Sequence, residues 1–423
     1  MPEKTAPAPD CCSDERTGAA LIPVDRAVEI GIALAQPVAE IELVTLDDAY
    51  ARILADDLVA PMPLPPFDNS GMDGYALRHG DIAPSGPTHL KVTGRVAAGD
   101  DAGRAGIVGK GEAFRIFTGA ALPQGADAVI MQEHVARAGD TITLTAPVPD
   151  GNNIRRKGED APEGSVLLSA GTYLGAREIA AIASVGQPRV QVRRKVKIAL
   201  FCTGSELRQP GESLAPGQIY NSNRFMMMAA LRTPSISLRD FGAIDDDPDQ
   251  LRLALIKASK DADIIVTTGG VSVGEEDHMV EQLVAAGGQI DVMKIAMKPG
   301  KPLSVGTLNG AIFIGLPGNP VAAYTTWKVI GQCIADKVSG LKTSKKAVFQ
   351  VELARDVTRR AGRQEYRPAR IIGTSPSGHP VVELLDHSFS AKISLICSSD
   401  GFAVIPPEAT ELTAGMKLSF VAL

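Results

Sequence analysis

From about residue 190 the sequence alternates short apolar runs with segments of helical periodicity, and this alternation constrains the fold more than any other feature. Segments with helical spacing lie at 221–232, 247–259 and 278–287. Strands that alternate with helices in this way form a doubly wound, mostly parallel α/β sheet. The apolar runs that predict the strands are 196–202, 235–241, 263–268, 290–296 and 311–316.

The rest of the chain has a different texture. A length of 423 residues exceeds one ordinary core and predicts three or four domains. The helical pattern that follows Asp47 and Asp48 predicts a helix over 49–57, whereas strand-like runs dominate from about 67 to 159 and again from about 345. The predicted organisation is a disordered tail at 1–19, a split N-terminal domain at 20–62 and 160–189, an inserted β-rich domain at 63–159, an α/β domain at 190–342 and a C-terminal β domain at 343–423.

Composition excludes several classes of protein. The chain is 44% hydrophobic and 22% charged, which is typical of a globular protein. No apolar run approaches the ~18 residues of a membrane span, and the N-terminus has no apolar signal-peptide region. Five cysteines without C-x-x-C spacing predict a reduced, cytoplasmic protein, and a net charge of −6 argues against nucleic acid as the main partner.

Four turns follow strands of the predicted sheet, at the edge where open α/β sheets bind ligands. The turn after the third strand contains Gly269 and Gly270, which allow backbone N–H groups to approach a phosphate closely. A purely structural glycine pair is the alternative, because the turn matches neither the Walker A loop nor the G-x-G-x-x-G pattern. The four turns are 203–206, 245–248, 268–274 and 316–320.

Charged side chains are concentrated in these turns and near them. Glu206, Asp246 and Asp277 each follow a strand, and clustered carboxylates of this kind suit Mg²⁺. The neighbouring Asp247 is instead a helix N-cap before a proline, and a first-turn role at a helix dipole is the alternative for Asp277. A basic cluster at Lys294, Lys298 and Lys301 predicts an anion site, with solvated surface charge as the alternative.

Two polar segments outside the α/β domain, 67–76 and 153–160, are either hinges or parts of a functional cleft. The sequence alone does not place them opposite the α/β site. The six histidines show no metal-ligand spacing, and Ser272 lacks a plausible His/Asp set. These absences argue against zinc hydrolysis and serine-type acyl transfer.

Taken together, FDNSGMDGYA, NIRRKGED, TGSEL, TTGGVSVGEED, KPGKP and LPGNP resemble the molybdopterin molybdenumtransferases, the bacterial MoeA proteins, whose eukaryotic relatives are the E domains of gephyrin and Cnx1. The resemblance covers about residues 20–423. It implies a four-domain protomer whose α/β domain is of the molybdopterin-binding type and whose last domain is a β-barrel. It also implies a homodimer whose active cleft lies between the α/β domain of one subunit and the inserted region of the other.

The activity that the resemblance implies is insertion of molybdate into adenylated molybdopterin, with Mg²⁺-dependent release of AMP. By match to the family motifs, three acids bind the metal: Glu206, Asp246 and Asp277. The implied catalytic residues are Asp73, Asp160, Glu206, Asp246, Asp277, Lys294 and Lys298. The implied substrate-binding residues are Thr268, Gly269, Gly270, Ser272, Gly274, Lys301, Pro317, Gly318, Asn319, Pro320, Ser390 and Ser394.

One residue departs from the pattern, because Ser205 stands where many members of the family carry aspartate. Three other functions stay open at this point. A molybdopterin adenylyltransferase shares the Thr-Gly-Gly turn, a gephyrin-like scaffold shares the domains without the chemistry, and a paralogue could handle tungstate. Candidate partners are a molybdopterin adenylyltransferase and molybdoenzyme maturation factors, with no nucleic acid and no membrane.

Overall fold

A computed structural model describes residues 21–270, 278–342, 349–385 and 391–423. Contacts divide the chain into two compact units. The first unit comprises the described residues up to Glu42, Ala51–Ile53 and everything described from Arg193 onward. The second comprises Leu43–Tyr50 and Leu54–Val192. The domain boundaries predicted from the sequence stay a prediction.

The first unit contains a six-stranded sheet covered by helices. Four neighbouring strands are parallel, and Pro302–Leu308 then pairs antiparallel with strands on both of its sides. In spatial order the strands are Ile236–Ile244, Val196–Thr203, Ile264–Thr268, Ala311–Leu316, Pro302–Leu308 and Gln289–Lys294. The helices of this unit are Val24–Leu34, Ser222–Leu231, Pro248–Ser259, Met279–Ala285, Pro320–Thr326, Gln332–Val338 and Ile393–Cys397, with a π-helical turn at Trp327–Gly331.

The sequence explains most of this sheet and missed one strand. Ile264–Thr268 is buried along its whole length, as its continuous apolar pattern predicts for a central parallel strand. Pro302–Leu308 was not predicted, because Pro302 and Gly306 interrupt its β pattern. Gly306 is required where it lies, since a Cβ there would be 2.1 Å from the Gln289 carbonyl oxygen.

The helix Val24–Leu34 packs against the α/β core, to which it contributes Val24 and Ala27. The predicted helix over 49–57 is wrong. A four-residue helix, Leu46–Ala49, ends before Ala51, which has a φ of 58° that a helix does not accept. The helix Pro248–Ser259 begins as predicted, with the Asp247 carboxylate accepting the Gln250 N–H at 2.8 Å.

A closed five-stranded barrel forms the C-terminal part of the first unit, in the region from about residue 345 where strand-like runs are predicted. Its core contains Leu353, Ala403 and Phe420. A short strand from the α/β part, Met297–Lys298, pairs in parallel with Gln364–Glu365 at the barrel. The barrel strands are Phe349–Leu353, Gln364–Thr374, Pro380–Leu384, Gly401–Ile405 and Lys417–Ala422; smaller pairs in this unit are Val357–Thr358 with Glu411–Leu412 and Leu207–Arg208 with Ile219–Tyr220.

The second unit is built on another six-stranded sheet, whose strands lie in the region 63–159 that was predicted to be β-rich. In spatial order its strands are Ala128–Met131, Gly74–Leu77, Glu112–Ile116, His89–Val96, Thr141–Leu144 and Val135–Ala138. Its other elements are the strand pairs Leu58–Val59 with Val166–Leu168 and Asn69–Ser70 with Ile154–Arg155, the helices Leu46–Ala49 and Ala176–Ser184, and 3₁₀ turns at His79–Asp81 and Gln132–His134. Ile41–Thr45 pairs with Arg189–Arg193.

Candidate active site

The carboxyl ends of the four parallel strands lie at one edge of the α/β sheet. Thr203 is paired in register with Ile244, Cys202 with Thr268, and Thr268 with Leu316. The four predicted turns therefore leave the sheet side by side. We call residues 203–206, 245–246, 269–270 and 317–320, which lie in these turns, the strand-end cluster.

An open cleft of about 530 Å³ in the strand-end cluster is lined by Ser205, Glu206, Asp246 and His278. Two reciprocal hydrogen bonds join Ser205 and Asp246. The Ser205 N–H donates to Asp246 Oδ2 at 3.2 Å, and the Asp246 N–H donates to Ser205 Oγ at 3.3 Å. Among the described residues, none donates a hydrogen bond to the carboxylate of Glu206, which is exposed. The cleft therefore presents acidic oxygen atoms to solvent.

The predicted metal ligands are only partly described. Glu206 and Asp246 line the same cleft, whereas Asp277 lies outside the described residues, directly before His278. Over the described ranges, no group of three or more histidine, cysteine, aspartate or glutamate side chains is arranged to hold a metal ion. Two carboxylates still fit Mg²⁺, which commonly uses one or two of them and completes its shell with water and phosphate.

Gly269 occupies a position that only glycine tolerates well. Its φ is 87°, and a Cβ there would lie 2.6 Å from the Thr203 carbonyl oxygen. Its N–H donates to the Leu316 carbonyl oxygen at 3.1 Å, which ties the turn to the next strand. Gly270 also has a positive φ, of 65°. The predicted residues Ser272 and Gly274 lie outside the described residues.

The turn 316–320 passes beside the Gly269 turn and starts a helix. Asn319 precedes the helix Pro320–Thr326 as its N-cap residue, and Pro320 occupies the first helical turn, where proline is favoured. The Asn223 side chain donates to the Gly318 carbonyl oxygen at 2.6 Å and so links the turn to the helix Ser222–Leu231. Pro317 is buried, whereas Gly318 and Asn319 are exposed.

Two of the three predicted lysines, Lys294 and Lys301, lie at the same edge of the sheet. Lys294 ends its strand opposite Pro302, and the Lys301 carbonyl oxygen accepts the Ile295 N–H at 2.7 Å. Lys298 lies in the strand that pairs with the barrel, where it is in register with Glu365.

Glu365 is buried and is held by two arginines of the barrel. Arg367 donates to Glu365 Oε1 at 2.8 Å, and Arg359 lies 3.7 Å from Oε2. The barrel thus anchors the backbone on which Lys298 lies.

The strands that precede the acids and the lysines are not all adjacent in the sheet. The strand Ile264–Thr268 and the strand Gln289–Lys294 are separated in the sheet by Ala311–Leu316 and Pro302–Leu308. The physical reason is the unpredicted strand Pro302–Leu308, which pairs with its sequence neighbours on both sides. The acids therefore share an edge of the sheet with Lys294 and Lys301 without being adjacent to them along it.

The two polar segments of the second unit are joined to each other. Asn69–Ser70 pairs antiparallel with Ile154–Arg155, and the Gly71 N–H donates to the Asn153 carbonyl oxygen at 2.8 Å. A third segment joins them, because the Gly119 N–H donates to the Ser70 carbonyl oxygen at 2.8 Å. We call residues 68–74, 117–122 and 152–160 the three-segment cluster.

Asp73 is held at one end of this cluster by Thr118. Its Oδ1 accepts both the Thr118 N–H and the Thr118 hydroxyl, each at 2.8 Å. These two bonds, with a smaller contribution from the charge of Arg115, lower the pKa of Asp73 below its ordinary value. Within the described part of the chain, no group donates a hydrogen bond to Oδ2. Asp73 therefore presents an ionised oxygen from a fixed position.

Asp160 is exposed at the other end of the cluster, and its N–H donates to the Leu64 carbonyl oxygen at 3.0 Å. Asp68, which was not predicted as a site residue, accepts the Lys157 N–H and the Arg156 guanidinium, each at 2.8 Å. The Lys157 N–H and then Arg156 lower the pKa of Asp68. Asp68 thus stabilises the loop that carries Asp160.

Of the two predicted serines, Ser394 lies exposed in the short helix Ile393–Cys397 and Ser390 lies outside the described residues. Sequence reasoning missed several polar partners in both clusters, among them Ser205, Thr118 and Asn223. Only Ser205 carried a signal, through its departure from the family pattern. Partners such as Thr118 are identified by a hydrogen bond to a residue distant in sequence, which no local pattern reports.

Three family models match the chain in order. The MoeA N-terminal region, domains I and II, matches residues 22–186. A probable molybdopterin binding domain matches 199–336, and the MoeA C-terminal region, domain IV, matches 350–423. The chain belongs to the MoeA family of molybdopterin molybdenumtransferases. The family and the multidomain fold class predicted from the sequence are confirmed.

Relatives and solved structures agree with this membership. A molybdopterin molybdenumtransferase from Haemophilus influenzae is 36% identical over 376 residues, which cover 88% of this chain and 92% of the relative. One from a Nostoc species is 37% identical over 331 residues, 77% of this chain and 75% of that one. A molybdopterin biosynthesis MoeA protein from Pyrococcus horikoshii superposes with a TM-score of 0.72 at 31% identity, covering 95% of this chain and 99% of that chain.

Membership of this family confirms the prediction of a transferase that inserts molybdenum during molybdenum cofactor biosynthesis. The adenylyltransferase alternative is disfavoured, because the MoeA N-terminal and C-terminal regions are both present. Within the described ranges, no helix is long and apolar enough to span a membrane. Among the described residues, Cys202, Cys333 and Cys397 form no disulfide.

Proposed function

We propose that this enzyme takes adenylated molybdopterin and molybdate as substrates, cleaves the phosphate anhydride with Mg²⁺ and releases AMP and molybdenum cofactor. The observation that carries this proposal is the strand-end cluster, where Glu206 and Asp246 line one cleft beside a glycine turn suited to phosphate. Cleavage of a phosphate anhydride depends mainly on positioning and on charge stabilisation, and both are properties of such a cluster.

In this proposal Glu206, Asp246 and Asp277 hold Mg²⁺. When bound, the ion supplies positive charge against the phosphate oxygens. The Ser205–Asp246 pair of hydrogen bonds fixes the orientation of one carboxylate, while the Glu206 carboxylate is exposed to ligand. The backbone at Gly270 receives phosphate, because its positive φ angle and the absence of a side chain allow close approach, while the Gly269 N–H stays bonded to the Leu316 carbonyl oxygen.

The lysines provide the anion-binding part of the site. Lys294, Lys298 and Lys301 attract the phosphate and molybdate oxyanions, and Lys298 is carried on a strand that the barrel anchors. Asp73 and Asp160 of the three-segment cluster position the substrate. The remaining proposed substrate-binding residues are Thr268, Ser272, Gly274, Pro317, Gly318, Asn319, Pro320, Ser390 and Ser394.

We further propose that the enzyme works as a homodimer in the cytoplasm and receives its substrate from a molybdopterin adenylyltransferase. Sedimentation of the purified chain as a monomer at micromolar concentration would contradict the dimer. Molybdoenzyme maturation factors are the candidate acceptors of the product. Replacement of molybdate by tungstate in the same assay tests the oxyanion preference.

The test of this function supplies the purified enzyme with adenylated molybdopterin, Mg²⁺ and molybdate, and measures AMP and metallated product. We expect Asp277→Ala and Lys298→Ala each to lose at least ~10²-fold in turnover, as removal of a key electrostatic group typically does. AMP release near the wild-type rate by either folded variant would contradict the site assignment. Formation of the adenylate from ATP without any AMP release would instead identify an adenylyltransferase. The absence of both reactions would point to a scaffold.

A further inference from the structure

Arg115 lies near the end of the strand Glu112–Ile116, which pairs with the strand Gly74–Leu77 that follows Asp73. It is paired in register with Tyr75, two residues after Asp73. Its Nη1 donates to the Gly74 carbonyl oxygen at 3.1 Å, and its Nη2 donates to the side-chain oxygen of Gln132. Its guanidinium also lies 5.2 Å from the ring centroid of Tyr75. One planar cation therefore contacts two strand ends through separate donors.

The strand ends that Arg115 joins are those that define the position of Asp73. Gly74, directly after Asp73, is paired with Ile116 on one side and with Met131 on the other. The Gln132 N–H in turn donates to the Asp73 carbonyl oxygen at 3.1 Å. Arg115 thus donates to the Gly74 carbonyl oxygen and to the side chain of Gln132. The Gln132 backbone in turn holds Asp73.

The backbone at this point has little freedom to move. A Cβ at Gly74 would lie only 1.9 Å from the Ile130 carbonyl oxygen, so the two strands approach as closely as glycine allows. Thr118, which donates both hydrogen bonds to Asp73, follows the strand Glu112–Ile116 that carries Arg115. The guanidinium lies 4.7 Å from the ring centroid of Phe117, the residue before Thr118. The same side chain therefore contacts the segments on both sides of the Asp73–Thr118 pair.

We infer that Arg115 is a positioning residue for the transfer reaction, which fixes Asp73 and Thr118 relative to each other by joining the strand ends that carry them. The inference rests on the proposed role of Asp73. A planar guanidinium is required, because it presents donors in two fixed directions while its face stacks on aromatic rings. The lysine ammonium group has neither a forked set of donors nor a planar face. A small displacement of a positioned group reduces turnover strongly, and the loss appears in kcat where the group acts in the transition state.

The test compares Arg115→Ala and Arg115→Lys with a matched control, Arg95→Ala. The Arg95 guanidinium lies 4.9 Å from the same Phe117 ring, is exposed and is paired with Asp100 at 4.0 Å. We expect Arg115→Ala to lower kcat for AMP release by about 10-fold with KM changed by less than about 2-fold. We expect Arg115→Lys to resemble the alanine variant, Arg95→Ala to resemble the wild type, and millimolar guanidinium to restore part of the activity of Arg115→Ala.

The double variant with Asp73→Asn separates positioning from general stability. If Arg115 acts through Asp73, Arg115→Ala causes no further loss of kcat in the Asp73→Asn background. If Arg115→Ala does not fold, Arg115→Lys carries the test in the same two backgrounds. The same fall in kcat from Arg115→Ala in both backgrounds would overturn the inference. A wild-type kcat for Arg115→Lys would also overturn it. Wild-type AMP release by Asp73→Asn would instead contradict the proposed role of Asp73.

Discussion

The two acidic clusters of this enzyme differ in how the protein uses their carboxylates. In the strand-end cluster, Glu206 and Asp246 line an open cleft, and the only protein donor to either carboxylate among the described residues is the Ser205 N–H. In the three-segment cluster, Asp68 and Asp73 each accept two hydrogen bonds from the protein. The first arrangement leaves both carboxylates open to a ligand, while in the second the carboxylates of Asp68 and Asp73 also fix loops.

The same difference appears in the pKa values of the acids. Backbone N–H groups are the largest cause of the lowered pKa of both Asp68 and Asp73. A carboxylate that accepts such bonds stays ionised well below neutral pH. Asp73 therefore does not serve as a proton donor near neutral pH, which is consistent with a role in positioning. Three substitutions separate the two kinds of cluster.

The largest of these effects is expected for Gly269→Ala in the strand-end cluster. The positive φ and the carbonyl oxygen of Thr203 at 2.6 Å from the new Cβ force the turn to move. We expect a loss of about 2 kcal/mol in unfolding free energy and at least ~10-fold in AMP release. Gly310→Ala is the matched control, since Gly310 has the same φ of 87° with nothing within 4 Å of its Cβ position. Equal activities of the two variants would show that the turn does not contact the substrate.

An intermediate effect is expected for Thr118→Val in the three-segment cluster. Valine keeps the N–H that donates to Asp73 and removes only the hydroxyl. Loss of one hydrogen bond to a charged group predicts about 10-fold slower AMP release. Thr118→Ser, which retains the hydroxyl, should stay close to the wild type. If both variants were equally slow, the methyl group rather than the hydrogen bond would be responsible.

The smallest effect is expected for Asp68→Asn, which concerns stability rather than turnover. Because the pKa of Asp68 is lower in the folded chain than its ordinary value of 3.8, its contribution is complete above pH 3.8 and is lost as the pH falls through the folded value. Urea unfolding should show a deficit of about 1 kcal/mol at pH 7 that shrinks below pH 3.8. The control is Asp150→Asn, an exposed aspartate of the same unit. A deficit that persists unchanged at the lowest pH would argue against the ionised carboxylate as its cause.

The difference between the clusters also explains how much could be predicted from the sequence. The strand-end cluster follows from local patterns, because the apolar runs identify the strands and parallel pairing brings their ends to one edge. The register of Thr203 with Ile244 and of Thr268 with Leu316 confirms that arrangement. The strand of this sheet that was missed, Pro302–Leu308, contains proline and glycine residues that obscure a β pattern.

The three-segment cluster was less accessible to prediction. The sequence identified 67–76 and 153–160 as polar segments, but the pairing of Ser70 with Ile154 joins residues that are far apart in the chain. Neither Thr118 nor Arg115 follows from composition or spacing, since each is defined by bonds across a sheet. Family resemblance supplied Asp73 and Asp160 as expectations, and their roles stay predictions.

The central claim is that the strand-end cluster carries the chemistry, and Asp246→Asn tests it most directly. Asparagine retains an oxygen that accepts the Ser205 N–H, so the variant removes charge while the hydrogen bond is kept. The measurement is single-turnover release of AMP, with metallated product assayed in the same sample and the melting temperature recorded. We predict AMP release at least ~10²-fold slower at an unchanged melting temperature. AMP release at the wild-type rate from the folded variant would contradict the claim.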